Sequence, residues 1–320
     1  MCYKGSSTSY DDLTVIIPTL KEADGLRYVL DEVLAVGVPR ENVLVVDGGS
    51  DDGTPEVARE KGVRVIFQEG SGKADAIRTG VKIIKTPYVL IMDGDYTYPA
   101  THIPELLNRA REGYELVLGS RKILERGSMN PVFKFGNWFI TKFVNILYGT
   151  KFSDVLTGMY LVKTDVLKEI FYEMRGFSVE AEIFSHVAST SGKIIEVPIK
   201  YRVRKGTKKL GIVHGFKITW DVVRLTWRYN PSYLLFLFGS MLLIPGLTLG
   251  AYVAYHYFFV GVNYFLKGLV AILMTLAGFQ SFLMAIMSLY TKRAEIRYLR
   301  KVNELKEFLE KVGKTGVDDK

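Results

Sequence analysis

Asp93-Gly94-Asp95 places two carboxylates one residue apart at the end of the apolar run Tyr88-Val-Leu-Ile-Met92. Hard divalent cations such as Mg²⁺ or Mn²⁺ take oxygen ligands, commonly one or two carboxylates completed by substrate phosphates. The pair is therefore a candidate for a metal–diphosphate site. The same pattern also closes ordinary solvated turns, so its neighbours must decide. Candidate cations lie elsewhere in the chain. Lys73 follows the Gly70-Ser-Gly72 turn, Arg121 follows Val117-Leu-Gly-Ser, and Arg204 ends Glu196-Val-Pro-Ile-Lys-Tyr-Arg-Val-Arg204, with Lys205, Lys208 and Lys209 just beyond. An arginine fork grips phosphate through two parallel hydrogen bonds. The 204–209 cluster reads either as a basic loop against an anionic bilayer or as a site for a phosphate arriving from the membrane. Asp154 precedes the Thr157-Gly158 turn, and Glu180 and Glu182 open a helix. His102, His186, His214 and His256 show no partner pattern and read as structural.

These side chains need a frame. Leu13–Pro18, Val43–Asp47, Val63–Phe67 and Tyr88–Met92 are short apolar runs of strand character. Helical patterns alternate with them, over Lys21–Val36, Pro55–Lys61 and Gly70–Lys85. That alternation predicts an α/β domain with a mostly parallel sheet and right-handed crossovers. Asp47 and Asp93 each end a strand on the same side, where open α/β sheets bind ligands. There is no G-x-x-x-x-G-K-[ST] loop and no G-x-G-x-x-G after the first strand, so neither a P-loop nor a dinucleotide fold is supported. The glycine turn before Lys73 is by itself a weak phosphate signal.

The chain's 320 residues are 48% hydrophobic and carry a formal net charge of +8. Mean hydropathy is +0.13, with the apolar excess near the C-terminus. No Asp, Glu, Lys or Arg occurs from Tyr229 to Leu266 or from Gly268 to Thr291. Either run exceeds the roughly 20 residues that cross a bilayer. Two helices are expected, over about 232–257 and 266–290, with Pro245-Gly246 kinking the first and Phe258–Phe265 linking them. A buried hairpin of a soluble protein is the alternative. Lys217, Arg224 and Arg228 precede the pair, and Lys292, Arg293, Arg297, Arg300 and Lys301 follow it. By the positive-inside rule both flanks, and hence the N-terminal domain and both termini, are expected in the cytoplasm. Segments 133–148 and 212–229 mix aromatics with Lys or Arg, as helices in the headgroup layer do, though domain packing gives the same pattern. Tyr298, Val302, Leu305, Leu309 and Val312 form a short a/d stripe that packs either on the chain's own domain or on another subunit, so a homo-oligomer stays open. The lone Cys2 allows no internal disulfide, and residues 1–12 lack the apolar run of a signal peptide. Nucleic acid is not an expected partner, because the bilayer accounts for the same positive charge. The expected division is a catalytic domain at 1–211, a juxtamembrane helix at 212–230, two spans within 231–290 and a helical tail at 291–320.

Several stretches, in order, resemble the family-2 inverting glycosyltransferases of GT-A fold, and most closely the polyprenyl-phosphate sugar synthases, such as dolichyl-phosphate mannose or glucose synthase. They are Val15-Ile-Ile-Pro-Thr with Glu22, Val46-Asp-Gly-Gly-Ser-Asp-Asp-Gly-Thr54, Gly72-Lys-Ala-Asp-Ala76, Met92-Asp-Gly-Asp-Tyr-Thr-Tyr-Pro99, Gly119-Ser-Arg121, Asp154-Val-Leu-Thr-Gly158 and Glu196-Val-Pro-Ile. The resemblance spans roughly residues 12–230. It implies that Pro18, Thr19 and Glu22 line a nucleotide pocket and that Asp47 takes a base N–H. It implies that Gly72, Lys73 and Asp75 lie beside the nucleotide and its diphosphate, and that Asp93 and Asp95 hold metal and sugar nucleotide. Arg121, Arg204 and Lys209 would face the acceptor phosphate, and Glu180 matches an acidic position of unfixed role.

Lys21 stands where relatives often have Asn, Ala74 where many have Gly, and Thr97 where mannose synthases have a metal-supporting Gln. Asp-Gly-Asp-x-Thr-Tyr instead resembles an archaeal branch using UDP-glucose or UDP-N-acetylglucosamine, which favours those donors over GDP-mannose. The Gln-x-x-Arg-Trp motif of processive synthases is absent, so one sugar per turnover is expected. The expected reaction is metal-dependent transfer of a single hexose to dolichyl (polyprenyl) phosphate with inversion. A transferase acting on a hydroxyl acceptor, with Glu180 or Asp154 as base, and a non-catalytic membrane scaffold are the rivals.

Overall fold

The computed structural model describes residues 9–170, 179–190, 192–206, 220–221, 223–224, 226–228 and 231–315. The chain divides into two compact units, Met1–Val223 and Arg224–Lys320. Lys208, Lys209 and most of the 212–229 segment lie outside the described residues.

The first unit is a three-layer α/β domain built on a seven-stranded sheet. Strands β1 (Leu13–Thr19), β2 (Val43–Asp47), β3 (Arg64–Phe67) and β4 (Tyr88–Met92) alternate with helices α1 (Ala23–Ala35), α2 (Thr54–Glu60) and α3 (Lys73–Val81). Then come α4 (Ile103–Arg111), β5 (Leu116–Leu124), α5 (Pro131–Tyr148), β6 (Met159–Lys163), α6 (Thr164–Glu169), α7 (Val179–Ser189) and β7 (Ile194–Tyr201). The strand order is β3-β2-β1-β4-β6-β5-β7. Leu13, Val15, Ile16, Ile17, Val43, Val45, Val46 and Val89–Met92 are buried. Such near-continuous apolar runs are what a parallel sheet covered on both faces demands.

Two features of this topology build the site. The chain leaves β1 toward β2 on one side and returns to β4 on the other, so a crevice opens between the carboxyl ends of β1 and β4. Strand β6 then runs antiparallel between β4 and β5. Its register pairs Met92 with Met159, which sets Gly158 opposite Asp93. The β5–β7 pairing is parallel but slips between Ser120 and Ile123. A slip of this kind re-aims the side chains it carries, here Arg121 and Lys122.

The second unit contains α8 (Pro231–Tyr255), a π-helical turn at His256–Val260 and α9 (Phe265–Thr315). Two stretches, Pro231–Val260 and Phe265–Glu295, are long and apolar enough to cross a membrane. The link between them is shorter than expected because the π turn extends the first helix. Helix α9 does not stop near residue 290 but runs on to Thr315. No Gly or Pro occurs from Phe279 to Val312 to break it. Small residues bring α8 and α9 close. A Cβ on Gly278 would fall 2.7 Å from the backbone nitrogen of Leu243. Ser281 Oγ donates to Leu235 O at 2.7 Å, and Ser232 and Ser288 pair at 2.9 Å.

Candidate active site

The carboxylate pair lies in the β1/β4 crevice, and α1 presses directly on it. A Cβ on Gly25 would fall 2.7 Å from Gly94 O and 2.8 Å from Asp95 Cα, so only glycine lets the first turn of α1 reach the acidic loop. Asp93 Oδ1 accepts from Lys73 Nζ at 2.6 Å, and the same ammonium lies 2.5 Å from Glu180 Oε1. Lys73 and Glu180 are almost fully buried, whereas Asp93 keeps 32% of its side chain exposed. Burial alone would lower the Lys73 pKa, but Asp93 and Glu180 outweigh it and hold the ammonium well above the usual lysine range. Burial raises the Glu180 carboxyl, with Lys73 opposing. Glu180 thus anchors Lys73, and Lys73 orients Asp93.

Asp95 is held from the other side. Its Oδ1 accepts from the Thr97 backbone N–H at 3.1 Å and from Thr97 Oγ1 at 2.6 Å. Its Oδ2 lies 3.3 Å from Arg204 Nη1, while Arg204 Nη2 donates to Glu22 Oε1. Burial, then the neighbouring Asp93 charge, raises the Asp95 pKa against the opposing pull of Arg204. Thr97 therefore fixes the second carboxylate directly, in the place of the glutamine expected of mannose synthases. Tyr96, between them, has φ +72°. A non-glycine residue there costs about 1 kcal/mol or more, and such strain collects at functional sites.

Other expected site residues fall in different places. Asp47 is fully buried, and its carboxylate already accepts from Thr19 Oγ1, Ser50 Oγ and the backbone N–H groups of Gly49 and Ser50. It organises the loop after β2. Pro18 lies in β1 beside β2, one residue before Thr19. Gly72 caps α3 at φ +88°, and Asp75 holds that turn by accepting from Ser71 N–H at 2.9 Å. Arg121 is not an open cation. It grips Asp154 with Nε at 2.6 Å and Nη2 at 2.7 Å, and Nη2 also donates to Leu156 O at 3.0 Å. Asn137 donates to the same carboxylate at 3.1 Å. Burial would raise the Asp154 carboxyl, but Arg121 outweighs it and holds it below the usual aspartate range. Lys209 lies outside the described residues.

The sequence left Tyr98, Glu32 and Arg202 unremarked. Tyr98 Oη accepts from Gly158 N–H at 2.7 Å and packs edge-on against Tyr201 at 5.2 Å. Its place inside the Asp-Gly-Asp-Tyr-Thr-Tyr run was the available signal. Among the described residues no set of three His, Cys, Asp or Glu converges on one point. The fit to a cation therefore rests on Asp93 and Asp95 alone. A Cβ on Gly158 would fall 2.0 Å from Asp93 Oδ2, so a glycine keeps room for that oxygen. Two carboxylates suit a hard cation that completes its shell with phosphate and water.

The sequence pattern described as Glycosyl transferase family 2 matches residues 14–171. "Glycosyltransferase AglJ" of Haloferax volcanii is 31% identical over 303 residues, covering 92% of this chain and 98% of that protein. The chain belongs to glycosyl transferase family 2. It is a glycosyltransferase by that membership. The "Dolichyl-phosphate hexose transferase" of the same organism is 36% identical over 203 residues, covering 63% of this chain and 88% of that protein. The solved structure of glucosyl-3-phosphoglycerate synthase from Mycobacterium tuberculosis, with Mn²⁺, uridine diphosphate and phosphoglyceric acid, matches with a TM-score of 0.57 at 19% identity, covering 68% of this chain and 78% of that one. That likeness shows the GT-A fold.

Proposed function

We propose that this family-2 transferase moves a single hexose from a nucleotide sugar to a polyprenyl phosphate such as dolichyl phosphate, with inversion. One observation carries the choice of acceptor. The two carboxylates that could serve a hydroxyl acceptor as base are both engaged, Asp154 in the Arg121 fork and Glu180 on Lys73. A lipid monophosphate has a second pKa of about 6, so it is largely ionised at neutral pH and needs no base. The name of the Haloferax hexose transferase and the apolar helices of this chain support the same reading.

Asp93 and Asp95 hold a divalent cation, Mg²⁺ or Mn²⁺, together with the donor diphosphate. When bound, that cation neutralises charge on the departing nucleoside diphosphate. The chain's own residues do the positioning. Lys73 and Glu180 fix Asp93, and Thr97 fixes Asp95, with the Arg204 guanidinium 3.3 Å from its other oxygen. Glu22 orients Arg204, which brings a cation to the edge of the acidic pair where a phosphate oxygen is to be aligned. Attack on C1 opposite the leaving group gives a β-linked lipid-phosphate sugar from an α-linked donor. UDP-glucose or UDP-N-acetylglucosamine is the favoured donor, with GDP-mannose the alternative.

Residues 231–290 form a two-span hairpin with cytoplasmic flanks, supported by Lys292, Arg293 and Arg297 after it and by the absence of Lys and Arg from the 258–265 link. Helix α5 exposes Val132, Phe135, Trp138, Phe139 and Ile146 beside Lys134 and Lys142, a face suited to the headgroup layer. The test is Asp95→Ala in the full-length protein. Transfer is expected to be nearly abolished with membrane insertion intact, and full activity in that variant contradicts the site.

A further inference from the structure

The chain leaving β7 folds back over the acidic loop. Pairing of β7 with β5 ends at Tyr201. Beyond it, Arg202 N–H donates to Thr97 O at 2.9 Å and Lys205 N–H donates to Asp95 O at 3.1 Å. Side chains reinforce this second contact. Arg202 grips Glu32 of α1 with Nη1 at 2.6 Å and Nη2 at 3.0 Å, and its Cζ lies 4.4 Å from the Tyr96 ring centroid. Lys205 Nζ lies 3.1 Å from the centroid of Tyr28, also on α1, and 4.6 Å from that of Tyr96. The two tyrosine rings are 5.4 Å apart. Glu32 Oε2 also accepts from Ala100 N–H at 3.2 Å, at the far end of the same loop.

The left-handed Tyr96 is thus enclosed by two cations and an aromatic ring, and its backbone neighbours are bonded to the segment that carries those cations. We infer that Glu32, Arg202 and Lys205 form a clamp on Tyr96 that presents the Asp95 carboxylate to the cation, making them positioning residues for metal and donor binding. This rests on the reading of Asp95 given under Proposed function. The clamp touches no reacting atom. It acts as the outer-shell partners of a metal ligand do, by restricting the loop that carries it. Lys205 is accordingly held between tyrosine faces.

The experiment uses the full-length protein in detergent, with amide hydrogen exchange and Mn²⁺ titration followed by the paramagnetic signal of the free ion. Glu32→Gln and Arg202→Gln are each expected to speed exchange at the Arg202 and Lys205 amides by about tenfold or more, leaving β1 and β4 unchanged. Each is expected to weaken Mn²⁺ binding roughly 10- to 100-fold. Arg202→Lys is expected to fail similarly, because one ammonium cannot hold both Glu32 oxygens. The Glu32→Gln, Arg202→Gln double variant is expected to be no worse than either single one. Unchanged exchange overturns the clamp, and faster exchange with unchanged Mn²⁺ affinity overturns its link to Asp95. Wild-type protein that binds no Mn²⁺ removes the site reading beneath the proposal, an outcome seen before any substitution is made.

Discussion

Arg204 Nη1 lies 3.3 Å from Asp95 Oδ2, so the residue expected to meet the acceptor is in contact with the carboxylate expected to hold the metal. Its second terminal nitrogen, Nη2, donates to Glu22 Oε1. A cation binding to Asp95 must compete with this guanidinium. Arg204→Met is therefore expected to bind Mn²⁺ alone more tightly, by about threefold, because a like charge near the site is gone. Transfer should nevertheless fall by about 100-fold, the usual loss when a preorganised cation or donor is removed. Metal titration and turnover on the same preparation check both signs.

Lys73 neutralises two carboxylates from within the protein. Removing it in Lys73→Met leaves Asp93 and Glu180 facing each other and is expected to cost about 3–5 kcal/mol of stability. Glu180→Gln should cost less, since Lys73 keeps Asp93 as its partner at 2.6 Å. Chemical denaturation of the two variants checks the order. Equal losses would count against Lys73 as the hub.

Gly158 tests the space around Asp93. In Gly158→Ala the new methyl would fall 2.0 Å from Asp93 Oδ2 and 3.1 Å from Tyr98 Cε2. The carboxylate must move, and overpacking should cost about 1–3 kcal/mol. Mn²⁺ affinity should fall at least about tenfold in protein that remains folded. Affinity equal to wild type would show that Asp93 Oδ2 does not face the cation.

The Arg121–Asp154 pair gives a pH prediction. Asp154 titrates below the ordinary aspartate value of 3.8 in the folded chain, since Arg121 outweighs the effect of burial. A lowered carboxyl pKa contributes stability that is fully present above the unfolded value and is lost as pH falls through the folded one. The stability gap between wild type and Asp154→Asn should therefore stay constant from neutrality down to about pH 4 and narrow only below it. The double variant Arg121→Met, Asp154→Leu should be less destabilised than Asp154→Asn, which strands a buried guanidinium. Thermal melts across pH check both statements.

Much of this arrangement was legible in the chain because local rules carry it. An apolar strand ending in Asp93-Gly94-Asp95 needs only period and polarity to be read, and the same holds for the two uncharged runs. What stayed hidden depends on non-local pairing. Arg121 meets Asp154 because β5 slips against β7 between Ser120 and Ile123, a detail no window of sequence contains. The inward turn of Asp47 depends on the backbone of Gly49 and Ser50. Tyr96 has no glycine-like signature to announce φ +72°, and the residues enclosing it come from α1 and the β7 exit. The long α9 was readable in principle, since its charged half is rich in good helix formers with no breaker.

The proposed acceptor is a lipid phosphate. The most direct test offers the full-length protein dolichyl phosphate, dolichol and a hydroxyl-bearing glycan side by side, with radiolabelled UDP-glucose, UDP-N-acetylglucosamine or GDP-mannose and Mn²⁺. Label is expected in a β-linked sugar phosphate of dolichol with one of these donors, and neither hydroxyl acceptor should be labelled. Transfer to dolichol or to the glycan, with dolichyl phosphate left unlabelled, would contradict it.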